Sequence, residues 1–476
     1  MLWWARANGC LWDENTCISA ASGGHLEVLQ WARANGCPWD EDTCAAAAEG
    51  GHLKVLQWAR ANRCPWSTYI SAKAAEGGHL EMLQWARENG CSWDARTCAW
   101  AATGGHLKVL QCAQGNGCPW DERELHIAAE TDHEAMVHAL IELGADINKA
   151  KNDGATPLCI AAERGHEAVV HAQIEAGADF NKAMGEGATP LWIAAQNGHE
   201  TVVRALIKAD ANLNKTVDNG ASPLFMAAQG VHGAVVRALI QAGADINKTT
   251  SNPTPLWIAA QNGHGAVVRS LIKADADLNK TVDNGASPLL MAAQGGHGAV
   301  VRALIQAGAD INKTTSNPTP LWIAAQNGHG AVVRSLIKAG ADLNKTVDNG
   351  ATPLYVAIQD NHEAVARALI EADAELNMTD DVGRTPLFMA AQEGHEALVR
   401  ALMEAGADFN KATDMGTTPL CIAACFGHEA VVRVLIEAGA DINTANNDGV
   451  TPLIIATQRV HEAVVRALIE AGADFN

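Results

Sequence analysis

Residues 153–185 read DGATPLCIAAERGHEAVVHAQIEAGADFNKAMG, and residues 186–218 repeat the phrase as EGATPLWIAAQNGHETVVRALIKADANLNKTVD. The tripeptide Thr-Pro-Leu or Ser-Pro-Leu recurs ten times, at steps of 33 residues except for two steps of 32. A strict period of this length indicates a solenoid, in which each repeat buries its apolar face by stacking on its neighbours. The ten prolines are Pro157, Pro190, Pro223, Pro255, Pro288, Pro320, Pro353, Pro386, Pro419 and Pro452.

Each repeat contains the signals for two short helices. Thr156 precedes Pro157, so the threonine oxygen can cap the first helix and the proline stands in the first turn, where no N–H is needed. Gly165 is predicted to end this helix, and a second helix with an apolar stripe is expected to end at Gly177 in a left-handed cap. The polar stretch 181–189 predicts a hairpin-like finger that leads to the next repeat.

The phrase resembles the ankyrin repeat. Ten repeats carry the Thr/Ser-Pro-Leu start, a Gly-His-like turn and a Gly-Ala-Asp-x-Asn-like exit, and a degenerate eleventh precedes them at 124–148 (ELHIAAETDHEAMVHALIELGADIN). The resemblance implies an all-α fold, an ankyrin-type α-solenoid of stacked helix pairs with β-hairpin-like finger loops. Residues 121–476 are therefore interpreted as an ankyrin array of eleven repeats.

Residues 1–120 carry a different repeat, with a period of 27 residues. Residues 37–63 read CPWDEDTCAAAAEGGHLKVLQWARANR, which resembles an ankyrin helix pair with six residues removed from the finger. Asp40 is expected to cap the first helix of this pair. No linker follows, so the sequence predicts atypical ankyrin-like helical repeats over 1–120, continuous with the array over 121–476. The period is marked by Cys10, Cys37, Cys64, Cys91 and Cys118, and by Trp12, Trp39, Trp66, Trp93 and Trp120.

Charge and hydropathy narrow the classes of partner. The net charge is −20, of which residues 1–120 hold −2 and residues 121–476 hold −18. An acidic array repels phosphate backbones, so we expect no nucleic-acid partner. No run of 18 apolar residues occurs, which argues against a membrane partner or span. The N-terminus lacks the order of a secretory signal, so we expect a cytoplasmic protein, with the nucleus as the alternative, that is not secreted.

No residue pattern predicts catalysis, a cofactor or a metal site. Fifteen of the 18 histidines recur once per repeat in the Gly-His turn, so we interpret them as structural groups that hydrogen-bond across that turn. Cysteines seven residues apart, as in Cys10/Cys17, Cys37/Cys44 and Cys91/Cys98, invite a disulfide or zinc site, but known zinc sites favour CxxC-like spacing. Buried, reduced thiols are the preferred interpretation.

Three sets of residues are candidates for contacting a partner. Large apolar residues replace the family's histidine two positions after the proline in all ten repeats; they either pack between repeats or form a partly exposed aromatic row. The resemblance implies partner contacts at the finger tips and at the two residues before the Gly-His turn. A lysine recurs at the finger base, either as a stripe for an acidic partner or as a solvated edge. The candidates are Trp192, Gln196, Asn197, Trp257, Gln261, Asn262, Trp322, Gln326, Asn327, Lys215, Lys280 and Lys345.

Two further patterns concern the second helices and the history of the array. Arg204, Arg237, Arg269, Arg302 and Arg334 form a row that we expect to face solvent on the convex side. Residues 221–285 and 286–350 differ only at Phe225/Leu290, Val231/Gly296 and Asp275/Gly340, which indicates a tandem duplication of two repeats.

These observations predict a non-enzymatic scaffold or adaptor that binds other proteins on the concave, finger-bearing face. The alternative is the substrate-targeting segment of a larger enzyme or ubiquitin-ligase adaptor, and a weaker one is a spacer without a specific ligand. Neither end of the chain shows a polar capping repeat. We therefore also expect end-to-end self-association through apolar residues such as Leu453, Ile454, Ile455 and Val460.

Overall fold

The computed structural model describes residues 13–119, 123–248, 253–314 and 318–474. It divides into two compact parts, residues 1–218 and residues 219–476. The described residues form short helices joined by turns and loops, with no strand among them beyond one isolated antiparallel bridge between Met184 and Ala188. The all-α fold predicted from the repeat phrase is thereby confirmed.

The described residues of the first part form seven helix pairs. Each odd-numbered helix is the first of its pair and each even-numbered helix the second. The helices are α1 (Glu14–Ser22), α2 (Leu26–Ala34), α3 (Glu41–Glu49), α4 (Leu53–Ala61), α5 (Tyr69–Glu76), α6 (Leu80–Glu88), α7 (Ala95–Thr103), α8 (Leu107–Gly115), α9 (Arg123–Glu130), α10 (Glu134–Glu142), α11 (Pro157–Arg164), α12 (Glu167–Glu175), α13 (Pro190–Asn197) and α14 (Glu200–Lys208).

The described residues of the second part form eight pairs in the same alternation. They are α15 (Pro223–Gln229), α16 (Gly233–Gln241), α17 (Pro255–Gln261), α18 (Gly265–Lys273), α19 (Pro288–Gln294), α20 (Gly298–Gln306), α21 (Pro320–Gln326), α22 (Gly330–Lys338), α23 (Pro353–Gln359), α24 (Glu363–Glu371), α25 (Pro386–Gln392), α26 (Glu396–Glu404), α27 (Pro419–Phe426), α28 (Glu429–Glu437), α29 (Pro452–Gln458) and α30 (Glu462–Glu470).

Local capping chemistry sets the helix boundaries where the sequence predicts them. The hydroxyl of Thr156 accepts the backbone N–H of Cys159, Pro157 is the first residue of α11, and Gly165 follows its end with φ of +79°. Gly177 follows α12 with φ of +87°. In the 27-residue repeats, Asp40 caps α3 through the backbone N–H groups of Asp42 and Thr43, as expected.

The core runs along each part between successive pairs. Within each part, every first helix packs on its own second helix and on the first helices before and after it. Alanines fill this interface, and Ala161, Ala162, Ala194 and Ala195 are fully buried. Small side chains let the first helices approach closely, while valines and leucines of the second helices close the other side of the core.

The histidines of the Gly-His turns link neighbouring repeats, whereas we expected bonds across their own turns. Nε2 of His199 donates to the backbone oxygen of Glu163 in the preceding pair at 2.9 Å. A Cβ atom on Gly165 would lie 2.5 Å from Nδ1 of His199, so this ring packs closely on the glycine opposite it. The same bond, at 2.8–3.1 Å, is made by His52, His79, His106, His133, His166, His264, His297, His329, His362, His428 and His461.

Asparagines at the finger bases form a second ladder between repeats, which the sequence analysis missed. The side-chain oxygen of Asn148 accepts the backbone N–H of Asp179 at 2.8 Å, and that of Asn181 accepts the N–H of Asn212 at 2.8 Å. The sequence signal for this ladder is the asparagine that ends the Gly-Ala-Asp-x-Asn-like phrase of successive repeats. Equivalent bonds are accepted by Asn247, Asn279, Asn312, Asn344, Asn377, Asn410 and Asn443.

Candidate partner-binding site

Trp257 and Trp322 each bridge consecutive repeats. Trp257 stands in the first turn of α17, where its backbone N–H donates to the hydroxyl of Thr254. Its indole is half-buried, and Nε1 donates to the backbone oxygen of Ala286 in the next repeat at 3.0 Å. Trp322 makes the same bond to Ala351 at 3.0 Å. Trp192 is also half-buried, and its backbone N–H donates to the hydroxyl of Thr189 in the same way.

The other residues of this position are buried, with one exception. Phe225, Tyr355 and Phe388 have side chains that are enclosed between repeats, as do Leu290, Cys159 and Cys421. Ile454, in the last described pair, is partly exposed. The position therefore serves packing in most repeats, and Trp257 and Trp322 combine an inter-repeat bond with an accessible surface.

The glutamine and asparagine candidates lie at the ends of first helices. Gln196, Asn197, Asn262 and Asn327 are exposed, while Gln261 and Gln326 are half-buried. The side chain of Asn327 donates to the backbone oxygen of Gln294 in the preceding repeat at 3.1 Å, and that of Asn262 donates to Gln229 at 3.5 Å. These two asparagines thus have a role between repeats as well as an exposed surface.

The lysines at the finger base fall into two groups. Lys215, Lys280 and Lys345 are exposed. In contrast, Nζ of Lys182 donates to the backbone oxygen of Asn148 at 2.6 Å, and Nζ of Lys411 donates to Asn377 at 2.8 Å. The lysine series therefore includes inter-repeat contacts, while Lys215, Lys280 and Lys345 present their charge to solvent.

Adjacent fingers are joined through their backbones, and two tips carry exposed apolar side chains that the sequence analysis missed. The N–H of Asp414 donates to the oxygen of Val382 at 3.3 Å, and the N–H of Asn447 donates to Met415 at 3.0 Å. Val382 is 51% exposed and Met415 is 59% exposed. The residue before the tip glycine is polar in the other described fingers: Asp153, Glu186, Asn219, Asn284, Asn349 and Asp448.

A buried carboxylate fixes the finger that carries Val382. Oδ2 of Asp380 accepts the hydroxyl of Tyr355 at 2.8 Å and Nε of Arg384 at 2.7 Å, while Oδ1 accepts the backbone N–H of Arg384 at 2.8 Å. Burial favours the neutral acid, but these hydrogen bonds outweigh it and hold the pKa of Asp380 below its ordinary value. Burial and the bond to Asp380 raise the pKa of Tyr355.

The cysteines meet in pairs that differ from the seven-residue spacing considered above. Burial and the neighbouring thiol of Cys37 raise the pKa of Cys17 to about 12. The neighbouring thiol of Cys118 and burial likewise raise the pKa of Cys98. In another repeat Ser71 stands where these repeats have Cys17 and Cys98, and its hydroxyl lies 2.9 Å from Sγ of Cys91. None of the described cysteines forms a disulfide, and all but Cys112 and Cys425 are buried; Cys10 lies outside the described residues.

The last described pair exposes part of the apolar set that we associated with self-association. Val460 is 76% exposed and Ile469 is exposed as well, whereas Leu453 is buried. In the described ranges, no group of three or more histidine, cysteine or acidic side chains is arranged to hold a metal ion. No helix found there has both the length and the apolar character needed for a membrane span.

One family model matches most of the chain. A family model described as "Ankyrin repeats (3 copies)" matches six overlapping segments, residues 72–184, 168–250, 235–315, 256–347, 321–413 and 387–476. A search of curated proteins finds no match to this chain.

Proposed function

Since these matches together span residues 72–476, the chain belongs to the ankyrin-repeat family of protein–protein interaction modules, and from this premise we propose a more specific role. The protein is a non-enzymatic scaffold or adaptor in the cytoplasm or nucleus, and it binds partner proteins on its finger-bearing face. Residues 1–120 extend the array of residues 121–476 as one series of repeats. The partner contacts include the exposed candidates Gln196, Asn197, Lys215, Lys280 and Lys345.

The exposed pair of apolar finger tips is the observation that carries this proposal. Val382 and Met415 follow one another on bonded fingers, and each leaves more than half of its side chain in water. Neighbouring apolar side chains held on a rigid support are typical of an interaction surface, because burying them against a partner releases water from both. The Asp380 cluster supplies that support under Val382.

In each repeat the bonds that hold the stack and the side chains that face solvent are separate groups, and this separation also favours binding at this face. The two ladders between repeats end on backbone oxygen and N–H groups, as in the bonds of His199 to Glu163 and of Asn181 to Asn212. The side chain of an acceptor residue such as Glu163 is not used by the ladder. Finger tips and helix ends can therefore vary in chemistry without loss of the stacking, which is what a recognition surface needs.

The test replaces the apolar tips by the residue that other fingers carry. The double variant Val382→Asn and Met415→Asn keeps the polar tip found at Asn284 and Asn349, so folding should be retained. Affinity capture with quantitative mass spectrometry should recover the partners of the wild-type protein at least about tenfold less well with this variant.

Val460→Asn is the matched control, since it removes an even more exposed apolar side chain away from the fingers. It should leave capture unchanged. Recovery of the same proteins in the same amounts with the double variant would refute binding at this face. Self-association through the exposed surface near Val460 stays a separate prediction, for which light scattering of the same control is the measurement.

A further inference from the structure

The arginine row of the second helices is neutralised in some repeats and left unpaired in others. Arg204 contacts Glu200 four residues earlier at 2.8 Å. Arg367, Arg400 and Arg433 contact Glu363, Glu396 and Glu429 in the same way, each at 2.9 Å. In these helices the first-turn glutamate therefore cancels the charge of the arginine that follows one turn later.

The four second helices of the duplicated blocks, α16, α18, α20 and α22, lack this glutamate. Each begins with glycine, and a Cβ atom built on it would lie 3.4–3.5 Å from the guanidinium four residues later. The arginines thus fold over the space that a glutamate occupies elsewhere. Among the described residues, none of these four arginines forms an ion pair. The glycines are Gly233, Gly265, Gly298 and Gly330, and the arginines are Arg237, Arg269, Arg302 and Arg334.

The other end of the same helices is also depleted of acidic residues. Helices α24, α26, α28 and α30 end in glutamate, whereas α16 and α20 end in glutamine and α18 and α22 end in lysine. The four helices pack in sequence and contain no aspartate or glutamate. Their six exposed cations, which we call the basic strip, are Arg237, Arg269, Lys273, Arg302, Arg334 and Lys338.

Two equivalent grooves lie along the basic strip. The first, of about 290 Å³, is lined by Arg237, Ile240, Gln241, Ser270, Lys273 and Ala274. The second has the same volume and the equivalent lining from Arg302 to Ala339. The serine hydroxyls donate to carbonyls of their own helices, as Ser270 does to Ala266. Each groove therefore offers an arginine, a lysine and a glutamine amide above an apolar floor.

We propose that the basic strip is a second docking surface, independent of the finger-bearing face, for an acidic segment of a partner protein. Six cations without a carboxylate form a local positive field within residues 121–476, whose net charge is −18. The repeats before and after the duplicated blocks in the sequence are acidic and repel long polyanions, so a short segment with a few carboxylates fits better than a nucleic acid or an anionic membrane. The apolar floor suits the methylene groups of glutamate side chains.

The spacing of the grooves sets the spacing of the acidic residues. Neighbouring packed helices lie about 8–10 Å apart. The first groove lies on α16 and α18 and the second on α20 and α22, so the grooves are two second helices apart and are separated by about 20 Å. An extended chain advances about 3.3 Å per residue, so the two carboxylates should be about six residues apart. The probe is accordingly a fluorescein-labelled peptide of glycine and serine with two glutamate pairs at that separation.

The decisive variant restores the missing glutamates. Gly233→Glu, Gly265→Glu, Gly298→Glu and Gly330→Glu together place a carboxylate beside each arginine, as in Glu363 beside Arg367. The dissociation constant for the probe, measured by fluorescence anisotropy at low salt, should rise at least about tenfold. The four-fold glycine-to-glutamine variant is the neutral control and should bind like the wild-type protein. Circular dichroism checks that both variants fold.

The duplication supplies a further comparison. Asp275 follows the first groove directly, and Gly340 stands in its place beside the second. The second groove should therefore bind more strongly, and Arg302→Gln should weaken probe binding more than Arg237→Gln does. Unchanged affinity in the glutamate variant would overturn the proposal, as would tighter binding of phosphatidylserine vesicles or an oligodeoxynucleotide than of the peptide. The finger-tip variant Val382→Asn/Met415→Asn should bind the probe normally, which separates this test from that of the proposed function.

Discussion

Val231 holds a backbone conformation that suits few residues. Its φ is +66°, whereas Gly296, its counterpart in the duplicated block, has φ of +69° without a side chain to strain. A β-branched side chain in the left-handed region costs roughly 1–2 kcal/mol, because Cβ crowds the neighbouring carbonyl. Val231 is 58% exposed, so burial of its methyl groups compensates for little of that strain.

The first prediction follows from this pair. Val231→Gly should raise the free energy of unfolding by about 1–2 kcal/mol. Gly296→Val should lower it by a similar amount or more, since the new Cβ would lie 2.8 Å from the ring of His329. Equilibrium urea denaturation of both variants is the measurement. A destabilising Val231→Gly would show that the valine side chain makes contacts that matter more than its backbone strain.

Asp275 and Gly340 give a milder version of the same comparison at the end of a second helix. Their φ values are +61° and +85°, and a Cβ at Gly340 would meet nothing within 4 Å. The difference is therefore one of backbone preference alone. Asp275→Gly should stabilise by a few tenths to about 1 kcal/mol and Gly340→Asp should destabilise equally. The urea midpoints of the two variants should move in opposite directions; parallel shifts would contradict this account.

At the scale of the helix, Trp257 joins α17 to the next repeat by packing and by one hydrogen bond. Trp257→Ala should cost about 3 kcal/mol, at the low end for a large aromatic residue because the indole is half-buried. Trp257→Phe keeps most of the packing and loses only the bond to Ala286, so it should cost about 1 kcal/mol. Denaturation and partner capture are measured on both variants. Weaker binding at unchanged stability would instead assign Trp257 to the partner surface.

The parts of each element that local chemistry controls could be predicted from the sequence. Thr156, Pro157 and Gly165 set the bounds of α11 through bonds and dihedral angles that span a few residues. The acceptor of His199 could not be predicted, because it lies 36 residues away and depends on how two repeats stack. The same limit applies to the indole of Trp257. Whether an aromatic residue grips a partner or the next repeat is decided by packing that the residue pattern does not contain.

The finger held by Asp380 should respond to acid. Because the folded pKa of Asp380 is below the unfolded value of 3.8, its contribution is complete above that value and is lost as the pH falls through the folded pKa. Asp380→Asn should cost about 2 kcal/mol at neutral pH, and the gap from wild type should narrow as the pH falls below 3.8. Urea titrations at several pH values test this. A gap that does not change with pH would mean that the carboxylate charge is not what holds Tyr355 and Arg384.

At the scale of the whole molecule, the interactions described here are local to neighbouring repeats. Histidines reach back one repeat, asparagines at the finger bases reach forward one repeat, and within each part first helices contact the first helices before and after them. Stability of such an array is approximately a sum over repeats and their interfaces. Charge follows a different pattern. The arginines of the second helices in the duplicated blocks have no glutamate beside them, whereas Glu200, Glu363, Glu396 and Glu429 pair with the arginines of other second helices.

Deleting one duplicated block tests this additive view directly. Removal of residues 286–350 joins Gly285 to Ala351, and both the old and the new junction read KTVDNG-ATPL. Every interface across the junction is thus of a kind already present, so the shortened chain should fold with unchanged helix content per residue. Deletion of residues 286–333 is the control, since it ends inside α22 and joins two parts of the repeat that are not equivalent. The control should lose helix content by circular dichroism.

The in-phase deletion should lose only one groove of the basic strip, and its affinity for the acidic probe should fall while capture of finger-face partners persists. Loss of helix content in the in-phase deletion would show that stability depends on longer-range coupling than neighbour contacts provide.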